Sequence, residues 1–142
     1  KQSLKLFIVL SRANKAITEM TNQFFQDQGL NPTEFAVLEL LYHKGHQPLQ
    51  QIGQKILLAS GSITYVVDKL EKRGYIKRIL CPNDRRVTYA QITEEGSVFM
   101  DRVFPMHEQQ LHEIMSVLTD EEKEQAISLL KKLGLSIRDL SY

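Results

Sequence analysis

Apolar positions in the first 28 residues recur at helical spacing. Leu10, Ile17 and Phe24 fall seven apart with Met20 between them, and Leu4, Phe7 and Ile8 extend the stripe. Such spacing puts one apolar face on an amphipathic helix, and Gly29 ends it. The pattern resets at Leu30-Asn31-Pro32-Thr33-Glu34-Phe35. There Asn31 caps, Pro32 suits the first helical position, Glu34 reaches back to the Asn31 amide, and Leu30 staples to Phe35. A second helix over 33–44 carries Phe35, Val37, Leu38, Leu41 and Tyr42 and stops at Gly45. Gln47-Pro48-Leu49 reads as a short extended link. A compact third helix over 49–56 turns Ile52 and Ile56 inward, Leu57-Leu58-Ala59 is a turn, and Ser60 caps a fourth helix.

In that fourth helix Ile63, Val66, Val67 and Leu70 keep the spacing of a buried stripe. Gly61, Tyr65, Asp68 and Lys72 share the other face, flanked by Ser62, Thr64 and Lys69, and Gly74 stops the helix. The pattern then turns β-prone. Tyr75–Leu80 and Val87–Thr93 form two runs joined by Cys81-Pro82-Asn83-Asp84-Arg85-Arg86, a hairpin with adjacent arginines at its tip. Thr93 caps a fifth helix with Glu94 and Glu95 in its first turn, where the helix dipole favours acids. It runs to about Leu118, and Pro105 predicts a kink or break near Asp101–Phe104. Thr119-Asp120-Glu121-Glu122 is a capping box opening a sixth helix. In it Ala126, Leu130, Leu133, Ile137 and Leu140 step as a heptad seam suited to another helix.

Two short helices about a tight turn, then a hairpin, make a winged helix-turn-helix. The expected fold class is mainly α with a small β-hairpin wing (α+β), in one domain over 1–142. Residues 31–93 are the DNA-binding region, and 1–28 and 94–142 are helices that pair with those of a second copy. A twofold homodimer sets two recognition helices about one DNA turn apart, ~34 Å.

Composition adds bounds. Hydrophobic content of 42% and charged content of 25% place the chain among soluble globular proteins. No run approaches the ~18 apolar residues of a membrane span and no secretory signal is visible, so cytoplasmic location and no membrane partner are expected. A single cysteine excludes an intrachain disulfide framework.

Charge is more telling. The whole chain is +1, but residues 53–93 hold eight Lys/Arg against three acids, net +5, and the remainder is net −4. A local positive field on an otherwise acidic protein suits a phosphate-rich partner, double-stranded DNA. Ser60, Ser62, Thr64, Tyr65 and Lys69 are the candidate base- and phosphate-facing residues. Ser60 is also a plain N-cap, and both roles can hold together. Arg86, then Arg85, is the candidate wing-tip contact, since a guanidinium suits a narrow minor groove. Asp84 repels phosphate and is expected to hold the wing's shape through an arginine, with Asp68 doing the same across to the wing. Lys55, Lys72, Arg73, Lys77 and Arg78 are general phosphate candidates.

Cys81 sits among Lys77, Arg78, Arg85 and Arg86, and nearby cations favour the reactive thiolate. It is a candidate redox sensor or simply a small residue ending a strand. His107 and His112, and His43 and His46, lack zinc-ligand spacing, so no metal is expected. No phosphate-cradling glycine loop, nucleophile elbow or paired-carboxylate motif is present, so neither an enzyme nor a cofactor is expected.

Three segments resemble the MarR family of winged-helix transcription regulators. They are Asn31-Pro32-Thr33-Glu34-Phe35-Ala36-Val37-Leu38, Val67-Asp68-Lys69-Leu70-Glu71-Lys72-Arg73-Gly74-Tyr75-Ile76, and Asp84-Arg85-Arg86 followed by Ile92-Thr93-Glu94-Glu95-Gly96. The resemblance implies an obligate dimer paired through its first, fifth and sixth helices, bound to a pseudo-palindromic operator, usually as a repressor. Glu34–Gly45 with Ser60–Arg73 further resembles the Bacillus-type branch that responds to quinones and other electrophiles. The family also implies a pocket near Phe7, Tyr42, Phe99 and Phe104 for a small aromatic effector. Redox-sensing relatives carry their cysteine near the first helix, where this sequence has none. A winged-helix protein–protein adaptor without specific DNA binding is the alternative, because a fold does not fix function.

Overall fold

The computed structural model describes residues 1–56 and 60–141. The turn expected at Leu57, Leu58 and Ala59 lies outside them, as do the side chains of Ser60, Ser62 and Leu140. Six helices and three short strands follow one another: α1 (Gln2–Asp27), α2 (Pro32–Lys44), β1 (Gln47–Pro48), α3 (Leu49–Lys55), α4 (Ser60–Lys72), β2 (Ile76–Leu80), β3 (Thr88–Ile92), α5 (Glu94–Met115) and α6 (Asp120–Ser141). The chain forms two compact units, Lys1–His107 and Glu108–Tyr142. Among the described residues no helix is long and apolar enough to cross a membrane.

Local chemistry explains the helix starts. At α2 both halves of the capping box form: Glu34 N–H donates to Asn31 Oδ1 at 2.7 Å, and Asn31 N–H donates to Glu34 Oε1 at 2.9 Å. Leu30 and Phe35 beside it are buried. At α6, Glu122 N–H donates to Thr119 Oγ1 at 3.1 Å, and Thr119 N–H to Glu122 Oε1 at 2.8 Å. Gly74, at φ +84°, turns the chain from α4 into the hairpin through a left-handed conformation that costs glycine little.

Two expectations need correction. Gln47-Pro48 is not merely a link but a strand, pairing antiparallel with β3 in the register Gln47↔Ala90 and Pro48↔Tyr89. The sheet order is therefore β1-β3-β2, and Pro48 sits on an edge strand, where its missing N–H is tolerated. Of the kink or break expected near Asp101–Phe104, the break does not form: α5 runs through Pro105 from Glu94 to Met115. Asp101, whose carbonyl loses that N–H donor, is exposed, so water can take the place of the missing bond.

The core of the first unit joins α2, α3, α4, the sheet and the first half of α5. Phe35, Val37, Leu38, Leu41, Ile52, Val67, Leu70, Ile76, Ala90, Met100 and Val103 are its most enclosed residues. Thr93 fastens the wing base to α5: its hydroxyl donates to Gly74 O at 2.6 Å and accepts from Gly96 N–H at 3.0 Å. Gly96 is required by closeness alone, since a Cβ there would lie 2.2 Å from Tyr75 O.

Candidate nucleic-acid interface

α4 is built with two unlike faces. Ile63, Val66, Val67 and Leu70 are buried, which turns Thr64, Tyr65 and Lys69 to solvent. Tyr65 is 65% exposed, an unusual position for an aromatic ring on a helix that otherwise buries its apolar groups. Lys69 Nζ lies 5.7 Å from the centre of that ring, so hydroxyl, ring and ammonium form one surface.

The wing lies beside it in sequence and in contact. β2 and β3 pair from Ile76↔Ile92 to Leu80↔Thr88. Beyond the ladder Cys81 N–H donates to Val87 O and Val87 N–H to Asp84 O, both at 3.0 Å, and these bonds close the tip. Asp84 is the acceptor at the tip. Its Oδ1 accepts from Arg86 N–H at 3.0 Å and Arg86 Nε at 3.1 Å, and its Oδ2 accepts from Arg86 Nη2 at 3.3 Å. The Arg86 side-chain and backbone donors hold the Asp84 carboxyl below the ordinary carboxylate range. Arg86 is nevertheless 91% exposed, so its outer edge remains presented, and Arg85 is exposed beside it.

Arg78 fastens the wing to α4. Its Nη2 donates to Asp68 Oδ1 at 2.5 Å and its Nη1 to Glu71 Oε1 at 2.6 Å. Hydrogen bonding to Asp68 raises the Arg78 pKa further above its ordinary value. Asp68 thus has the reach across to the wing that the sequence suggested. Arg78, read as a phosphate candidate, is instead committed to two carboxylates, and Glu71 was not singled out at all. Two acids three apart on one helix face, opposite an arginine in the adjoining strand, are the signal that could have found it.

Arg73 stays exposed but donates to Gly29 O at 2.5 Å, and the likewise exposed Lys55 donates from Nζ to Gln47 Oε1 at 2.5 Å. Lys72, Lys77 and Arg85 are exposed and, among the described residues, in no ion pair. Of the eight cations counted, Arg78 is spent on carboxylates, Lys55 and Arg73 are exposed but each holds a neutral oxygen, and Lys69, Lys72, Lys77, Arg85 and Arg86 are exposed.

Cys81 is half-buried at the end of β2. With His46, Ile79, Tyr89 and Gln91 it lines a shallow depression of about 430 Å³ on the outer face of the sheet. The four aromatic residues expected to form a pocket do not assemble as a group. Phe7 is 65% exposed, Phe99 stacks on Tyr75 at 4.6 Å, and Tyr42 and Phe104 pack with His43. The Tyr42 hydroxyl donates to Asp101, tying α2 to α5. Among the described residues no cluster of His, Cys, Asp and Glu could hold a metal ion.

Comparison with known proteins agrees with this geometry. The profile of the MarR family matches residues 30–88. The HTH-type transcriptional regulator MhqR of Bacillus subtilis is 59% identical over 138 residues, covering 97% of this chain and 95% of that protein. The transcriptional repressor MprA of Escherichia coli is 32% identical over 134 residues, 93% of this chain and 76% of that protein. In fold the chain matches a mutant MarR of E. coli solved with operator DNA, with a TM-score of 0.83 and 21% identity over 93% of this chain and 95% of that one. From these relatives, and from the helix and wing described above, the chain belongs to the MarR family of winged-helix transcription regulators, which are not enzymes.

Proposed function

We propose that this protein is a dimeric, sequence-specific DNA-binding repressor that occupies a pseudo-palindromic operator and is released by a small aromatic or electrophilic compound. One observation carries the DNA-binding reading. The exposed Thr64, Tyr65 and Lys69 of α4 and the exposed Arg85 and Arg86 of the wing belong to two elements that Arg78 pins together. α4 is shaped to enter a major groove while the tip reaches phosphate or the adjoining minor groove. Ser60 and Ser62, at the start of α4, are assigned to the same surface. The E. coli repressor and the operator-bound MarR structure support the reading.

Residues 31–93 are assigned to DNA and the terminal helices to dimerisation. In support, α1 leaves Leu4, Phe7 and Ile8 exposed, and α6 leaves Leu130, Leu133 and Ile137 exposed at heptad spacing. The release step is a population shift, in which the effector favours a dimer whose recognition helices no longer match the half-site spacing.

The test is binding to the protein's own upstream DNA across a salt series, with and without a quinone. Wild type is expected to lose affinity steeply as salt rises, and Arg85→Ala to lower the log–log slope by ~0.9, the value for one phosphate contact. Absence of salt-sensitive binding would move the protein to the adaptor class. Cys81→Ser separates the two triggers. Loss of quinone response only in that variant assigns a thiol trigger, and an unchanged response assigns a non-covalent one.

A further inference from the structure

Six residues of the first unit, from the turn after α1, the α4–β2 junction and α5, form a closed circuit apart from the exposed Thr64, Tyr65 and Lys69 of α4. Arg73, just after α4, donates from Nη1 to Gly29 O at 2.5 Å, and its guanidinium lies 5.1 Å from the centre of the Tyr75 ring. Tyr75, just before β2, stacks on Phe99 of α5 with 4.6 Å between centres and 25° between planes. Arg102, one turn along α5, lies 5.4 Å from the Phe99 ring centre and donates from Nη1 to Gln28 Oε1 at 3.3 Å. Gln28 and Gly29 are neighbours in the turn that closes α1, so the circuit returns to its start. Gly29 has φ +81°, and a Cβ there would lie 3.3 Å from Arg73 Nη2, so the turn is shaped to admit the guanidinium.

Two guanidiniums, each on one ring of a stacked pair, need planar groups at both stations. An ammonium supplies charge but no plane and no fork of donors. We propose that Arg73 and Arg102 are positioning residues: they clamp the end of α4 and the start of the wing to the turn after α1. A displacement of α1 is thereby passed to the recognition helix and the wing, through a side-chain stack rather than the backbone. The proposal rests on the DNA-binding reading above, and it removes Arg73 from the phosphate contacts.

The test uses the full chain as wild type, Arg73→Lys, Arg73→Gln, Arg102→Gln and the Arg73→Lys/Arg102→Gln double variant. DNA affinity is measured across a salt series and backbone hydrogen exchange without DNA. Arg73→Lys and Arg102→Gln are each expected to weaken binding about fivefold, the scale of one cation–π contact, with the salt slope unchanged. The double variant should lose less than the product of the two, because both act through one stack. Amides of 28–30 and 73–80 should exchange faster in each variant, with those of 37–41 unchanged. Arg73→Lys binding like wild type while Arg73→Gln lowers the slope by ~0.9 would make Arg73 a phosphate contact and overturn the proposal. Unchanged exchange at 28–30 and 73–80 would also overturn it. If wild type itself shows no salt-sensitive binding, the function proposed above fails, and the exchange data alone then uphold or overturn the clamp.

Discussion

Four arginines between residues 73 and 86 have four different fates. Arg73 serves a carbonyl and a ring, Arg78 two carboxylates, Arg86 both Asp84 and solvent, and Arg85, among the described residues, is exposed and in no ion pair. The sign of this region's charge was legible in the sequence, because charge counts need no geometry. Asp68 was read as reaching across to the wing, but Glu71 and Gly29 were not, because they reach these arginines only once the chain has folded. Asp84 was legible because its partner lies two residues away. Its titration follows from the same bonds. The folded carboxyl titrates below the ordinary 3.8, so the wing-tip interaction contributes fully above that pH and is lost as pH falls through the lower folded value. An NMR titration should find the Arg86 Nε–H signal constant from pH 8 to about pH 5 and shifting only below about pH 4. Movement within the upper window would contradict the assignment. In the core, Leu70 is fully buried where α4 meets its neighbours, so Leu70→Ala is expected to cost roughly 2–5 kcal/mol in a denaturant titration.

At the scale of elements, helix starts with a local capping signal at Asn31 and Thr119 were readable, while the end of α5 falls at Met115 and not near Leu118. The Asn31–Glu34 and Thr119–Glu122 boxes form as their spacing indicates. Asn31→Ala removes one partner of the first box and is expected to lower stability by about 1 kcal/mol, visible as a lower Tm. A Tm unchanged within error would mean that burial of Leu30 and Phe35 alone fixes this helix start. β1 was not readable, since two residues become a strand only by meeting Ala90 and Tyr89 some forty positions later. Pro105 predicted a kink or break, and the break does not form: α5 runs through it, with Met100 and Val103 buried in the core just before it. The pocket near Phe7, Tyr42, Phe99 and Phe104 was expected from the family resemblance, whereas within one chain Phe99 stacks on Tyr75, Tyr42 and Phe104 pack with His43, and Phe7 is exposed.

At the scale of the whole molecule, the exposed apolar residues of α1 and α6 are what one chain leaves uncovered. Burying them against a second copy predicts a protein whose Tm rises with concentration. Sedimentation should report a dimer, and Leu133→Glu should shift it toward monomer by placing a charge in the seam. A monomeric wild type at micromolar concentration would remove the dimer from the proposed function. The double pairing of β3 carries a further consequence, for tolerance of changes in chain length. The tip over 81–87 lies beyond every strand pair, so insertions there lengthen the finger and leave the ladder in register. An added residue between Gly45 and Pro48 would slip β1 against β3, turning each of its side chains to the opposite face. Reach toward DNA is thus free to drift at one end of this hairpin, while the spacing at its root is locked.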